Sequence, residues 1–170
     1  MKSYLLLALL AASAARAERT WVFEPEQTLV TAEVLGRSAV SRVLTGRLHE
    51  LDSGALQLEV RLPVASFEAD RCPGAAATEL PEIVFEGAAQ KPDKDGTLAF
   101  KGSVSFRGKS RAVELPVVLV RTGAMIFGHA VLSVHLRDLG LPIPEGEPDE
   151  ARVTIDTGLR REGTTLASRG

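Results

Sequence analysis

Three histidines, the one cysteine and two of the aspartates are the residues of this chain whose types and settings could do chemistry. His49, His129 and His135 could bind a metal or move a proton. They fall on separate strand patterns or strand ends. His129 and His135 are separated by an even number of residues, so one strand could show both on one face. At about 3.3 Å per residue they would still stand about 20 Å apart, too far to share an ion, and no metal site is expected. Cys72, in "DRCPGAAAT", is the only cysteine, so an intramolecular disulfide is impossible. A thiol there could react or bridge to a partner, but no histidine or basic cluster accompanies it beyond the adjacent Arg71, and it reads as a loop residue. Asp138 in "LRDLGLP" and Asp156 in "TIDTGL" could be catalytic carboxylates; their settings read more simply as a turn and a solvated strand position. No G-x-S-x-G elbow and no phosphate loop is present. No catalytic residues and no cofactor are expected.

The elements that would position these side chains read as strand after strand. "TWVF" (Thr20–Phe23) ends at "EPEQ", and "TLVTAEVLG" (Thr28–Gly36) follows. "AVSRVLTGRLHEL" (Ala39–Leu51) reads as one strand with a bulge or bend at Gly46. "ALQLEVRL" alternates cleanly, with Leu56, Leu58, Val60 and Leu62 on one side and Gln57, Glu59 and Arg61 on the other. A one-residue slip would turn that whole apolar set outward, so its register is well specified. The period is lost from Pro63 to Pro81, where Ala75–Leu80 could form a helical turn. "EIVFEGAA", a long hairpin over Gly96–Val120, "AMIFGHAVLSVHL" (Ala124–Leu136) and "ARVTIDTGL" (Ala151–Leu159) complete the series. Eight or nine strands with turns at short spacing predict an all-β fold, an extended antiparallel barrel that closes on itself and leaves no long edge.

The hairpin can be read in register. Gly108-Lys109 suits a two-residue turn with glycine first. That turn would pair Val104 with Val113, Gly102 with Leu115, Phe100 with Val117 and Leu98 with Leu119, all on the apolar side. It also sets Pro116 opposite Lys101 at a hydrogen-bonded pair, where proline has no N–H to give.

Composition bounds the partners. The net charge is −2 and Lys and Arg are scattered, so no nucleic-acid footprint is present. Lys2, an apolar run from Tyr4 to Ala12 and Ala15-Arg16-Ala17 read as a signal peptide over residues 1–17, leaving one domain from 18 to 170. The run is shorter than the roughly 20 residues that span a bilayer, so no stable membrane insertion is expected. The mature chain would be periplasmic or secreted. Six Phe and one Trp serve it, because Tyr4 lies in the leader. An eight-stranded barrel can be filled by its own side chains or can hold one small ligand, and few large side chains leave either possible.

Several stretches in order resemble the YceI-like family, bacterial lipid-binding proteins also described as polyisoprenoid-binding. "VLTGRLHELDSGALQLEVRLPVASFEADR" is similar to its V-x-G-x-F strand, turn and following strand. "LPEIVFEG" is similar to its Y-P-x-I-x-F strand, "LAFKGSVSFRGKSRAVELPV" to its F-x-G-x-L…L-P hairpin, and "LRDLGLPIPEGEPDEARVTIDTGL" to its R-x-D-F-G loop and last strand. The resemblance spans Thr20 to Leu159. The chain departs from the pattern where Ala32 stands at a Phe position, Gly36 at a His position, and "ADRCPGAAATELP" replaces a longer segment of which only Asp70-Arg71 is left.

The resemblance implies an exported, lipocalin-like barrel that holds a long isoprenoid, an isoprenoid quinone or a fatty-acid derivative without chemistry. The expected apolar lining is Leu56, Leu58, Val60, Leu62, Phe85, Leu98, Phe100, Val104, Phe106, Val113, Leu115 and Val117. Two other classes stay open. A packed barrel could serve as a protein-interaction module, with no internal cavity and an exposed apolar patch. An enzyme acting on a bound amphiphile would need polar groups converging at the mouth, with Asp138 and His135 or His49 the first pair to inspect.

Overall fold

The structure, a computed structural model, describes residues 19–67, 81–90 and 92–163. The leader expected over residues 1–17, Asp70-Arg71, Cys72 and the turn expected over Ala75–Leu80 lie outside the described residues. Nine strands form: β1 Arg19–Val34, β2 Arg37–Ser41, β3 Thr45–Glu50, β4 Leu56–Pro63, β5 Glu82–Ala89, β6 Thr97–Phe106, β7 Lys109–Thr122, β8 Met125–His135 and β9 Glu150–Arg161. Neighbours pair antiparallel, and β1 also pairs with β9. Eight strands therefore close into a barrel, and β2 is an extra strand paired to β1. The only helical pieces among the described residues are two 3₁₀ turns, Val64–Phe67 and Leu136–Leu139. None is long and apolar enough to cross a membrane.

The period-2 pattern explains the closure. On β4, Val60 and Leu62 are buried inside while Gln57 is exposed. On β6, Leu98, Phe100, Val104 and Phe106 are all buried. Gly102 and Gly87 stand opposite each other on β6 and β5. A β-carbon at Gly102 would lie 1.9 Å from the Glu86 carbonyl oxygen, and one at Gly87 would lie 2.6 Å from the ring of Phe85. The two glycines let the strands approach closely and give the Phe85 ring its place.

Three expectations about the strands change. "TWVF" and "TLVTAEV" are one strand, β1. Its register against β9 shifts between Glu24 and Leu29, and Pro25 sits in that irregularity, where its missing N–H breaks no ladder. The shift buries Thr28, 1% exposed, whose hydroxyl donates to the Glu24 carbonyl (2.7 Å) and lies 2.8 Å from the Thr157 hydroxyl. "AVSRVLTGRLHEL" is two strands. Ser41 accepts from the Val43 N–H at 3.0 Å and donates to Ser66 at 2.6 Å, and Ser66 donates to the Pro63 carbonyl at 2.6 Å. That relay breaks the chain at 42–44 and turns Leu44 into the core. Gly46 does mark a distortion: its φ is 137°, and a β-carbon there would lie 2.0 Å from the Glu59 carbonyl oxygen.

The hairpin register is the third correction. Phe106 pairs with Lys109, so the turn is Arg107-Gly108, with φ of 48° and 75°. Two positive φ values make it a type I′ turn, whose twist matches the flanking strands. Phe100 then faces Leu115, and Leu98 faces Val117. Because the shift is by two residues, the inward faces are unchanged. Pro116 falls opposite Ala99 instead of Lys101. Counting from the turn, that is a non-hydrogen-bonded pair, so the missing N–H points away from β6. The β7–β8 ladder begins only at Val117–Ala130, so proline forfeits no bond on that side either.

One end of the barrel is sealed. Trp21, Leu48, Ile126 and Leu159 are buried there, and the Arg121 guanidinium lies 5.2 Å from the Trp21 ring centroid. Arg121 also donates to Glu50 at 2.9 Å. Burial alone would push the Glu50 carboxyl up, but Arg121, by hydrogen bond and charge, and Arg19 hold it below its ordinary value of 4.5. The indole N–H of Trp21 favours the carboxylate too, from beyond hydrogen-bond geometry.

Candidate functional site

The other end opens into a cavity of about 1010 Å³. It arises from two places where the ladders stop. β3 and β4 pair no further than Thr45–Arg61, so β2 continues past them without a partner from β4. β7 and β8 pair no further than Val117–Ala130 and then separate. The 3₁₀ turn Leu136–Leu139 fills the second gap. Gly140 ends it at φ 72°, with its N–H donating to the Arg137 carbonyl at 2.9 Å. Lys109 and Arg111 of β7 drape over this turn: Lys109 lies beside Gly140, and Arg111 Nε is 3.3 Å from the Asp138 carboxylate.

The wall is built from inward positions of six strands and the segments beside them. β1 gives Ala32 and Val34, β4 gives Leu62, β5 Ile83, β6 Val104 and Phe106, β8 Leu132 and Val134, and β9 Ala151 and Val153. Val64 and Phe67 come from the first 3₁₀ turn, Leu136, Leu139 and Leu141 from the second and its exit. β2 supplies the rim with Arg37, Ser38, Ala39 and Val40. Small residues at Ala32, Ala39 and Ala151 leave the space that larger side chains would fill. Arg37 and Ser38 are the only lining residues with polar side chains among the described residues. A void of about 1010 Å³ is at the upper end of the range of small-molecule sites, and a mostly apolar wall with few polar groups is their usual chemistry. The described residues thus leave open space at this end, against the alternative of a barrel packed solid by its own side chains.

The expected lining residues separate into three groups. Leu62, Val104 and Phe106 face the large cavity. Leu58, Val60, Phe100, Leu115 and Val117 surround a void of only about 40 Å³ deeper in the barrel, where Phe23, Leu44 and Leu48 also pack. Leu56, Phe85, Leu98 and Val113 belong to the core and line neither space. β7 contributes nothing to the large cavity because the Leu136–Leu139 turn lies between them, and Leu136 and Leu139 take its place. The wall from β8 and β9 carries the same period-2 signal as β4 and β6, so Leu132, Val134, Ala151 and Val153 were readable from sequence. The residues from the 3₁₀ turns were not, because no periodicity marks a turn that folds inward.

The chemistry-bearing residues are dispersed. His129 Nδ1 lies 2.7 Å from Asp156 Oδ1 on the outer face of β8 and β9. His49 Nδ1 lies 3.1 Å from the Thr20 hydroxyl, and His135 Nδ1 is 4.0 Å from Asp149. Asp138 pairs with Arg111 and with neither His135 nor His49. Among the described residues no group of three or more His, Cys, Asp or Glu is placed to hold a metal ion. Among the described residues the lining carries no carboxylate, imidazole or thiol.

No family model matches the chain, and no curated protein matches it in sequence. Among solved structures, the crystal structure of BcnA from Burkholderia cenocepacia is similar, with a TM-score of 0.62 and 18% sequence identity, covering 80% of this chain and 98% of that one. The likeness is one of fold, and it fits a lipocalin-like barrel.

Proposed function

We propose that this chain is an exported, non-catalytic binding protein that holds a long amphiphilic lipid in the cavity at the open end of its barrel. An isoprenoid, an isoprenoid quinone or a fatty-acid derivative fits that description. The observation that carries the reading is the cavity of about 1010 Å³, whose described lining is apolar except for Arg37 and Ser38. Burying apolar carbon there is worth about 0.8 kcal/mol per methylene, so ten methylenes would supply roughly 8 kcal/mol before the cost of ordering the guest. The order of sequence stretches that resembles the YceI-like family supports the same class of guest, and the sequence pattern of residues 1–17, which reads as a leader, supports export.

The test is to purify the protein from its host under mild conditions and weigh it by native mass spectrometry before and after solvent extraction. The reading expects a mass excess that extraction removes and that an added isoprenoid quinone or long-chain fatty acid restores. A protein that carries no lipid and takes up neither would overturn it.

A second reading has one observation in its favour. On the outer face of β7 and β8, Val120 (55% exposed) stands opposite Phe127 (41% exposed), with Val118 beside them. Such a patch suits contact with another exported protein. Replacing Phe127 with Ser would then weaken partner capture and leave lipid uptake unchanged.

A further inference from the structure

We infer that the guest has an anionic head, a carboxylate or a phosphate, and that Arg37 at the rim of the cavity holds it; this rests on the binding reading above. The register places Arg37 for that task. β2 pairs with β1 so that Arg37 stands opposite Val34, and Ala39 opposite Ala32. Residues directly opposite in an antiparallel pair share a face. Val34 and Ala32 line the cavity, so Arg37 and Ala39 lie on its side of β2. Arg37 is the last residue of that face before the mouth, and it is exposed there. Its methylene stem can lie along the apolar wall while the guanidinium stays at the water boundary.

Two further facts favour a ligand over a structural role. Among the described residues Arg37 is the single charged residue of the lining, and it makes no ion pair there. Two other arginines near this end are engaged, Arg61 by Glu59 at 2.7 Å and Arg111 by Asp138 at 3.3 Å. A guanidinium offers a planar fork of donors that matches carboxylate or phosphate oxygens. A neutral head would leave that fork to water. One acid lies nearby. The Glu147 carboxylate would be 3.7 Å from a β-carbon placed at Gly36. It tempers the positive potential at the rim, so a modest preference is expected.

The experiment compares three probes with one tail: dodecanoic acid, dodecyl phosphate and 1-dodecanol, titrated into the full chain at low salt. Either or both anions should bind about threefold to tenfold tighter than the alcohol, the range of exposed to partly buried charge contacts. Arg37→Gln should bring the anions down to the alcohol and leave the alcohol unchanged, and Arg37→Lys should restore part of the preference. A preference for the acid alone points to a fatty acid, and one for the phosphate alone to a phosphate-headed lipid. Equal binding of all three by the unaltered chain, or an undiminished preference in Arg37→Gln, overturns the inference while leaving the binding reading intact. Failure of all three probes to bind overturns both.

Discussion

The Ser41 hydroxyl donates a 2.6 Å hydrogen bond to the hydroxyl of Ser66, across the place where β2 runs on without β4. This bond and the next, from Ser66 to the Pro63 carbonyl, tie the rim strand to the 3₁₀ turn that walls the cavity. A cross-link of two hydroxyls replaces a strand ladder, and the mouth owes its shape to that replacement.

Ser41→Ala removes the link and also the acceptor of the Val43 N–H, and Ser41 is buried. Leaving such partners unsatisfied costs about 1–2 kcal/mol, which urea unfolding will read directly. Ser66→Ala should cost less, and the double variant should be less destabilised than the sum, because the two side chains share one bond.

The glycine pair at the β5–β6 contact makes a sharper demand. A methyl at Gly102 would meet the Glu86 carbonyl oxygen at 1.9 Å, which is backbone and cannot swing away. Gly102→Ala should therefore destabilise by about 3 kcal/mol, the upper part of the range for overpacking. Thermal unfolding within one cysteine-free background would show it. An unchanged midpoint would mean that the strands stand further apart than described.

Glu50 gives a pH signature. Its carboxyl is held below 4.5 in the folded chain by Arg121 and Arg19, against burial that would raise it. A lowered folded-state value means stability that is present above pH 4.5 and is lost as pH falls through the lowered value. Arg121 is half exposed, so solvent screening keeps the pair to about 0.5 kcal/mol. Glu50→Gln should be less stable than the unaltered chain near neutrality, and the gap should close in acid. A gap that stayed constant down to pH 3 would place the loss in packing instead of charge.

The barrel was legible because alternation is a strong signal when one face is buried. β4 and β6 state their inward sets outright, and the shift in the Phe106–Lys109 hairpin was by two residues, which preserves every face. What alternation does not carry is depth along the barrel axis. Phe100 and Val104 lie on the same face of β6, yet Val104 walls the large cavity and Phe100 the small void. Which residue falls where depends on where the ladders stop, at Thr45–Arg61 and Val117–Ala130, and on a turn at Leu136–Leu139 that displaces β7. Those endings come from a serine relay and a proline, features that read locally as ordinary turn chemistry. Arg37 was missed for a related reason. Read alone, a charged residue beside a glycine turn looks like surface, and only its position opposite Val34 puts it on the cavity side.

The most direct test of the central claim is lipid uptake by Val153→Trp beside Leu115→Trp. Val153 faces the cavity of about 1010 Å³, so an indole there has room and should occupy the guest's place. Leu115 faces a void of about 40 Å³, so an indole there has none and should cost about 1–3 kcal/mol of stability. The account predicts that Val153→Trp keeps its unfolding midpoint and loses most of its binding of a fluorescent long-chain fatty acid, while Leu115→Trp loses stability and, where still folded, continues to bind. Uptake by Val153→Trp equal to that of the unaltered chain would contradict the cavity as the binding site.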